Sequence, residues 1–560
     1  MAFPLSLRDM THTAEAVLAA LGPQSFSDKA TSFSPWYSDC GLGCSPQTSG
    51  ITYCFLHHNR ATHTIGSASQ PFLRLNDQAD TAAGTLAGVS CGSTTIIGTA
   101  RNTFLVAQKS PAEASFAPLQ GYDQWRWQRA GDCICWQTFV PSGDARDPDR
   151  FWPVLIAARV IDGTSTLEAD GRLTLAGAWR LALHIQVLET SPDAAAHQLT
   201  TAADTVAAAR QASLEWLQEA LGTWQLPQAV EAPRQKLLAK AAITLLSNAC
   251  IGTGLLAGRI AAYPNRGFYP THFLWDACFQ NLALEHFHPR LADDSLCLLT
   301  ENLRVDGMMA HFLCATWMRP HDSQPPLVGW AAERLAHRDP TVARRLLHPI
   351  VKNNRWWLRQ RMTRWGLIAN EDPMETGWDD TPRFDDGPIL PLDMNAYLIK
   401  QLQVTYDFAL SLGENALAKE ALAAREALNA ALMQHCFNED TGRFHDVLAA
   451  DGRQLPIKTP AIFLPLWAGV LPIDDPRSQQ LIDTYLLNPD YFYGAIPFPS
   501  VAYDEPTYTP AYSSDSPDTG VVARTDVDAG CLAHARITCA RGEKTGAPTR
   551  HAHLPCASDA

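Results

Sequence analysis

Met374-Glu375-Thr376-Gly377-Trp378-Asp379-Asp380-Thr381-Pro382-Arg383-Phe384 packs carboxylates, an indole and a guanidinium into one short stretch. Seven carboxylates, Glu371, Asp372, Glu375, Asp379, Asp380, Asp385 and Asp386, fall within sixteen residues. Pro373, Gly377 and Pro382 favour a loop over a helix interior. Like charges held that close resist joint ionisation. A carboxyl lying against an indole loses hydration, so its pKa rises and it can carry a proton near neutral pH. Trp378-Asp379 has that make-up and reads as a proton donor to a leaving-group oxygen. A solvated acidic loop is the competing reading. A calcium loop fails on spacing, because alternate ligand positions would fall on Thr381 and Arg383.

Around this loop the chain is helical. Apolar residues recur with a helical period after Pro233, and segments near 234–252, 275–288, 290–304, 326–337, 339–362, 392–411, 415–436, 460–470 and 475–487 read as nine helices. The long loops between them, 261–274, 305–325 and 363–391, hold most of the Trp, Asp and Pro-rich motifs, where a helical scaffold places a binding site. Upstream, from about 51 to 190, short β-like runs alternate with turn signals, as in Thr94–Ala100, Asp132–Val140 and Arg180–Leu188, and a β-sandwich domain fits them. Residues 1–50 form an N-terminal segment, and 191–232, rich in Ala, reads as a linker helix.

Composition narrows the partners. Hydrophobic residues at 46% and charged residues at 18% describe a globular chain of 560 residues, and the net charge of -14 opposes a nucleic-acid surface. No run is long and apolar enough to span a bilayer, and the amino terminus lacks the pattern of an export signal, so a cytoplasmic location is expected. Fourteen cysteines lack paired C-x-x-C spacing. Cys40/Cys44 and Cys133/Cys135 are the closest pairs, and the latter are expected to share one face of a strand.

Four motifs occur in order: Phe273-Leu274-Trp275-Asp276, Asp322-Ser323-Gln324-Pro325-Pro326-Leu327, Glu375-Thr376-Gly377-Trp378-Asp379-Asp380-Thr381-Pro382-Arg383 and Leu392-Asp393-Met394-Asn395-Ala396-Tyr397-Leu398. Together they resemble the glycoside hydrolases of family 63 and the mannosylglycerate-hydrolase-like group, with trehalases of family 37 more distant. The resemblance covers about 234–510. It implies an (α/α)6 barrel, an α/α toroid, behind an N-terminal β-sandwich, and inverting hydrolysis of an α-glycosidic bond in a small carbohydrate without a metal or other cofactor. Asp379 is then the general acid, Gly377 lies beside the bound sugar, and Tyr269, Trp275, Asp276 and Gln324 hold it. Trp378 and Arg383 complete the expected site, although Arg383 can equally pair with Asp379 or its acidic neighbours. Aromatic faces beneath sugar C–H surfaces, and carboxylates or amides on paired hydroxyls, are the chemistry that neutral sugars require. Taken singly, Trp-Asp also reads as a core indole with a capping carboxylate, and Gln-Pro-Pro as a turn. Asp393 reads as structural, near a helix start.

The pattern breaks at about residue 511. The resemblance implies a base glutamate after a Tyr-Trp-Arg-Gly stretch, but residues 511–560 contain no Trp, Phe, Met, Asn or Gln, and Glu543 is their single glutamate. This tail reads as disordered. A full barrel also needs more helices than the nine counted. The expectation is therefore an incomplete barrel, from a lost reading frame or a shortened gene. Asp504, Glu505, Glu371 and Glu375 are nominal substitute bases. A sugar-binding protein lacking the base is the alternative function.

Overall fold

The computed structural model describes residues 7–21, the strand residues 24–26, 31–33, 40–44, 50–58, 61–65, 73–75, 82–85 and 88–91, and 93–508 apart from 110, 112, 117–124, 142–150, 188–190, 223, 228–229, 253, 265–268, 316–317, 320, 379–380 and 495–496. The tail 511–560 and Asp379 itself lie outside the described residues. The chain divides into two compact units, residues 1–298 with 313–318, and residues 299–312 with 319–560.

The first unit is built on one antiparallel sheet. Strand Leu173–Val187 is its hub, pairing with Thr103–Gln108 on one side, with Phe151–Leu167 on the other, and with Ala114–Phe116 near its start. Cross-strand rows explain the core: Leu183 lies opposite both Phe104 and Ala158, and all three belong to one buried cluster with Trp136, Trp179 and Ile156. Strand residues alternate between faces. Val154, Ile156 and Ala158 therefore enter that cluster, while Leu155 and Ala157 enter a second one on the opposite face. Both faces are covered, which is why this strand reads as a continuous apolar run. Cys133 and Cys135 share the second face and are buried there, as their spacing predicts.

That second face is covered by helices, and here the single linker helix expected over 191–232 is corrected. The segment forms two helices, α2 (Pro192–Thr201) and α3 (Val206–Leu221), which follow α1 (Leu7–Leu21) in the chain. Ser191 caps α2, with Pro192 at its first position, and Thr205 caps α3 through Ala208 N–H, so each start is encoded locally. Ala195 and Leu199 of α2 pack on Cys133, Cys135 and Leu155. Ala209 of α3 packs on Ile97 and Leu105, and the Ser213 hydroxyl donates to the Gly98 carbonyl at 2.9 Å. The helices are thus part of the sheet's core. They are followed by α4 (Ala232–Ser247), α5 (Leu274–Phe287) and α6 (Pro289–Glu301).

The second unit contains α7 (Val328–Ala336), α8 (Thr341–Gln360), α9 (Leu392–Ser411), α10 (Asn415–Cys436), α11 (Leu464–Ala468) and α12 (Pro476–Leu481), the last continuing into a π turn. Each of the nine segments read as helical after residue 233 carries a helix. Helices α9 and α10 form a hairpin closed by three residues, and Gly413 supplies the positive φ of 76° that ends α9. Buried amides set the register of α7, α8 and α9. Gln401 accepts from Gly329 N–H at 3.0 Å and donates to Asn353 and Asn354 at 3.1 and 2.9 Å. Trp467 of α11 meets Trp330 and Tyr397 edge-on at 5.5 and 5.7 Å. A Cβ at Gly329 would come within 2.8 Å of Gln401 Cγ and 3.2 Å of its Cα. Gly329→Ala is therefore expected to destabilise the second unit by about 1–3 kcal/mol, the usual cost of overpacking, read as a lower urea midpoint at unchanged slope.

Candidate active site

The acid loop is assembled from two short 3-10 turns. Asp372 starts the first, Pro373–Glu375, by accepting Met374 N–H at 2.9 Å. Thr381 starts the second, Pro382–Phe384, by accepting Arg383 N–H at 3.4 Å. Between them Gly377 takes a φ of 74° that favours glycine, and Trp378 N–H donates back to the Thr376 hydroxyl at 3.3 Å. Asp379 follows Trp378 and lies outside the described residues.

Each turn is anchored by a buried ion pair. Glu375 is 2% exposed. Arg361 donates to its Oε1 at 2.6 Å, Ser323 N–H donates to the same oxygen at 3.3 Å, and Asn370 donates to Oε2 at 3.1 Å. Burial pushes its carboxyl up to about 7, against the pull of Arg361 and with some repulsion from Asp322 and Asp372. Asp322 is itself held below the usual carboxylate range: burial opposes this, but His311 and Arg319 lie 3.3 and 2.6 Å away and outweigh it.

At the other turn the expectation for Arg383 is corrected. Its guanidinium is fully buried, bonded to Asp393 at 2.8 and 2.9 Å and to Asp446 at 2.6 and 3.0 Å. Four of its five N–H groups are thereby used, so its role here is to hold structure. Burial works against the charge, but the two carboxylates raise its pKa well above the usual value. Asp446 also takes Leu392 N–H at 2.8 Å, capping α9, and Asp393 takes Met394 N–H at 3.0 Å, consistent with the structural role read for it. Trp378 is 1% exposed, with the Arg383 Cζ 5.2 Å from its ring centroid. The indole packs inside the loop.

Three of the seven loop carboxylates have partners of their own. Glu375 turns inward to Arg361, Asp372 caps its own turn, and Asp386 pairs at the surface with Arg453 at 2.7 Å. Gln324, buried, follows Ser323 in the second unit. Tyr269, half-buried, lies edge-on to Phe273, Trp275 is buried against Phe279, and half-buried Asp276 stands in the first turn of α5; these belong to the first unit. Of the nominal bases, Glu505 and Asp504 are bound to Lys458 at 2.7 and 3.1 Å. Arg361, Asn370 and Asp446 escaped the sequence reading. Asp446 stands 63 residues from Arg383 and carries no local signal. Among the described residues no group of three His, Cys, Asp or Glu is placed to hold a metal ion, and no helix is long and apolar enough to cross a membrane.

Residues 269–516 match the family model described as the mannosylglycerate hydrolase MGH1-like glycoside hydrolase domain. That match bears out the resemblance read from the ordered motifs. Mannosylglycerate hydrolase MGH2 of Selaginella moellendorffii is 27% identical over 148 residues, which span 22% of this chain and 30% of the relative. The chain thus covers under a third of the length of the curated relatives it matches. Among solved structures, the GH63 mannosylglycerate hydrolase from Thermus thermophilus in complex with glucose is 22% identical, covers 55% of this chain and 92% of that one, and has a TM-score of 0.43. Neutral trehalase Nth1 from Saccharomyces cerevisiae is 15% identical, covering 44% and 57%, with a TM-score of 0.39.

The ion pairs make two outcomes measurable. Asp446→Ala leaves Arg383 with one buried partner fewer and the first N–H of α9 unsatisfied, so a loss of about 3–5 kcal/mol is expected in denaturant unfolding. For Glu375, the folded pKa of about 7 lies above the ordinary 4.5. A raised carboxyl contributes stability that is fully present below its unfolded pKa and is lost as pH rises through the folded one. Melting curves from pH 4.5 to 7.5 should show wild type losing stability relative to Glu375→Gln, by up to about 3 kcal/mol; parallel curves would contradict the shift.

Proposed function

We propose that this chain is a glycoside hydrolase that cleaves an α-glycosidic bond in a small glucoside or mannoside, including a mannosylglycerate-like compound, with inversion. The observation that carries the reading is the family match over 269–516, which contains in order Tyr269, Trp275, Asp276, Gln324, Gly377 and Asp379. The buried ion pairs on either side of Asp379 support it, because a general acid must be held in place to donate its proton efficiently. In this reading the helices are those of an (α/α)6 barrel.

Asp379 delivers a proton to the departing oxygen while a carboxylate-activated water attacks the anomeric carbon from the opposite face, about 6.5–9.5 Å being the usual separation of such a pair. The resemblance assigns Tyr269, Trp275, Asp276 and Gln324 to holding the sugar, Tyr269 and Trp275 as aromatic contacts and Asp276 and Gln324 as hydroxyl partners. Inverting hydrolysis uses protons and water, and no step requires a metal. Glu505, Asp504 and Glu375 are engaged with Lys458 and Arg361, so none of them is offered as the base.

Release of mannose or glucose from mannosylglycerate, α-linked disaccharides and aryl α-glycosides tests the assignment. Asp379→Asn should lower the rate by about 10²–10⁴, the usual contribution of a positioned acid. An unchanged rate on every one of these substrates would refute Asp379 as the donor.

A further inference from the structure

Two loops of the second unit meet at one carboxylate. Glu375 lies two residues before Gly377 and four before Asp379 on the acid loop, and its Oε1 accepts the N–H of Ser323, the residue before Gln324. The same carboxylate is fixed to the scaffold by Arg361, which follows the last turn of α8, and by Asn370, whose backbone exchanges both N–H···O bonds with Ile389. We propose that Glu375 is a positioning residue that couples the acid loop to the Gln324 loop, so that one side chain ties the loop carrying the proton donor to the loop carrying the sugar-holding amide. What those loops hold rests on the glycosidase reading above; the coupling itself is independent of it.

The chemistry of the site favours this role. Three donors converge on Glu375, and its ionised form, with about four lone-pair sites, accepts all three. The charges facing it are Arg361 from the end of α8, Asp322 from the Gln324 loop and Asp372 from its own turn. Asp322 is in turn paired with Arg319 and His311. The second carboxylate is thereby neutralised, which lets Glu375 lie beside the Gln324 loop without strong repulsion. Its burial makes the arrangement demanding, because an unmatched polar group there costs about 1–3 kcal/mol. Among the described residues Asn370 Oδ1 has no hydrogen-bond partner. Rotation of that amide would present this acceptor to the Nε2 of a glutamine at 375, so Glu375→Gln is the conservative rescue, whereas Glu375→Ala removes every contact.

Amide hydrogen exchange followed by mass spectrometry, on the full chain, reads the coupling without turnover. Glu375→Ala should speed exchange at least tenfold in peptides covering 320–328 and 371–384 together, with Glu375→Gln close to wild type and Arg355→Ala, which breaks an exposed pair with Glu420, showing no change in either. Acceleration confined to 371–384 overturns the coupling. Should the alanine variant not fold, Glu375→Asp, one methylene too short to span its three partners, is read in the same way.

Calorimetry with glucose and mannose, and hydrolysis of mannosylglycerate, test the positioning role. Glu375→Ala should weaken sugar affinity or lower kcat/KM by ten- to a hundredfold, with substantial recovery in Glu375→Gln. Coupled exchange with sugar affinity and turnover unchanged in the alanine variant overturns the positioning role alone. If wild type neither binds these sugars nor hydrolyses mannosylglycerate, the glycosidase reading falls and the positioning role with it, while the exchange result still decides the coupling.

Discussion

The buried guanidinium of Arg383 is the contact on which the architecture of the second unit turns. One cation is divided between Asp393, in the first turn of α9, and Asp446, on the strap that follows α10. Because Asp446 also takes the first N–H of α9, three segments distant in sequence are joined at a single point: the acid loop, the start of a twenty-residue helix, and the 443–448 strap. Burying three charges is expensive, and such a set gives little net stability over a hydrophobic replacement. What it supplies is geometry, since a guanidinium donating paired bonds engages its carboxylates in few orientations.

Glu375 does the same for the other end of the loop, with a different balance. Arg383 has two anions for one cation, while Glu375 has one cation and two neutral donors. The described residues on either side of Asp379-Asp380 are therefore each tied to an anchored turn. Before that pair, Gly377 takes a positive φ and Trp378 is buried beside Arg383. Loops built this way are far less free than their glycine and proline content implies, because the end points are fixed by side chains that cannot leave without exposing a charge to an apolar interior.

The regular elements were legible because their signals are local. Helical periodicity placed all nine later helices, and the alternation of Cys133 and Cys135 placed both on one face. The break between α2 and α3 was missed, although Thr205 is a recognisable cap, because the surrounding alanines read as one uninterrupted helix. The role of Arg383 was missed for a different reason. Its sequence neighbours are Asp379, Asp380, Asp385 and Asp386, yet its partners are Asp393 and Asp446, ten and 63 residues away. Composition reports which charges are near along the chain, whereas pairing depends on which are buried together. Trp378 is found buried with its indole against the same guanidinium.

These pairings bear on how a carboxyl at position 379 can be kept protonated. Two means were available to the loop: repulsion from neighbouring carboxylates, or removal from water. The first is weakened, because Glu375 faces Arg361 and Asp386 faces Arg453. Arg383, the nearest guanidinium in sequence, is committed to Asp393 and Asp446. On the glycosidase reading, the buried ion pairs serve the donor by tying down the turns on either side of it, with the Arg383 charge shared between Asp393 and Asp446.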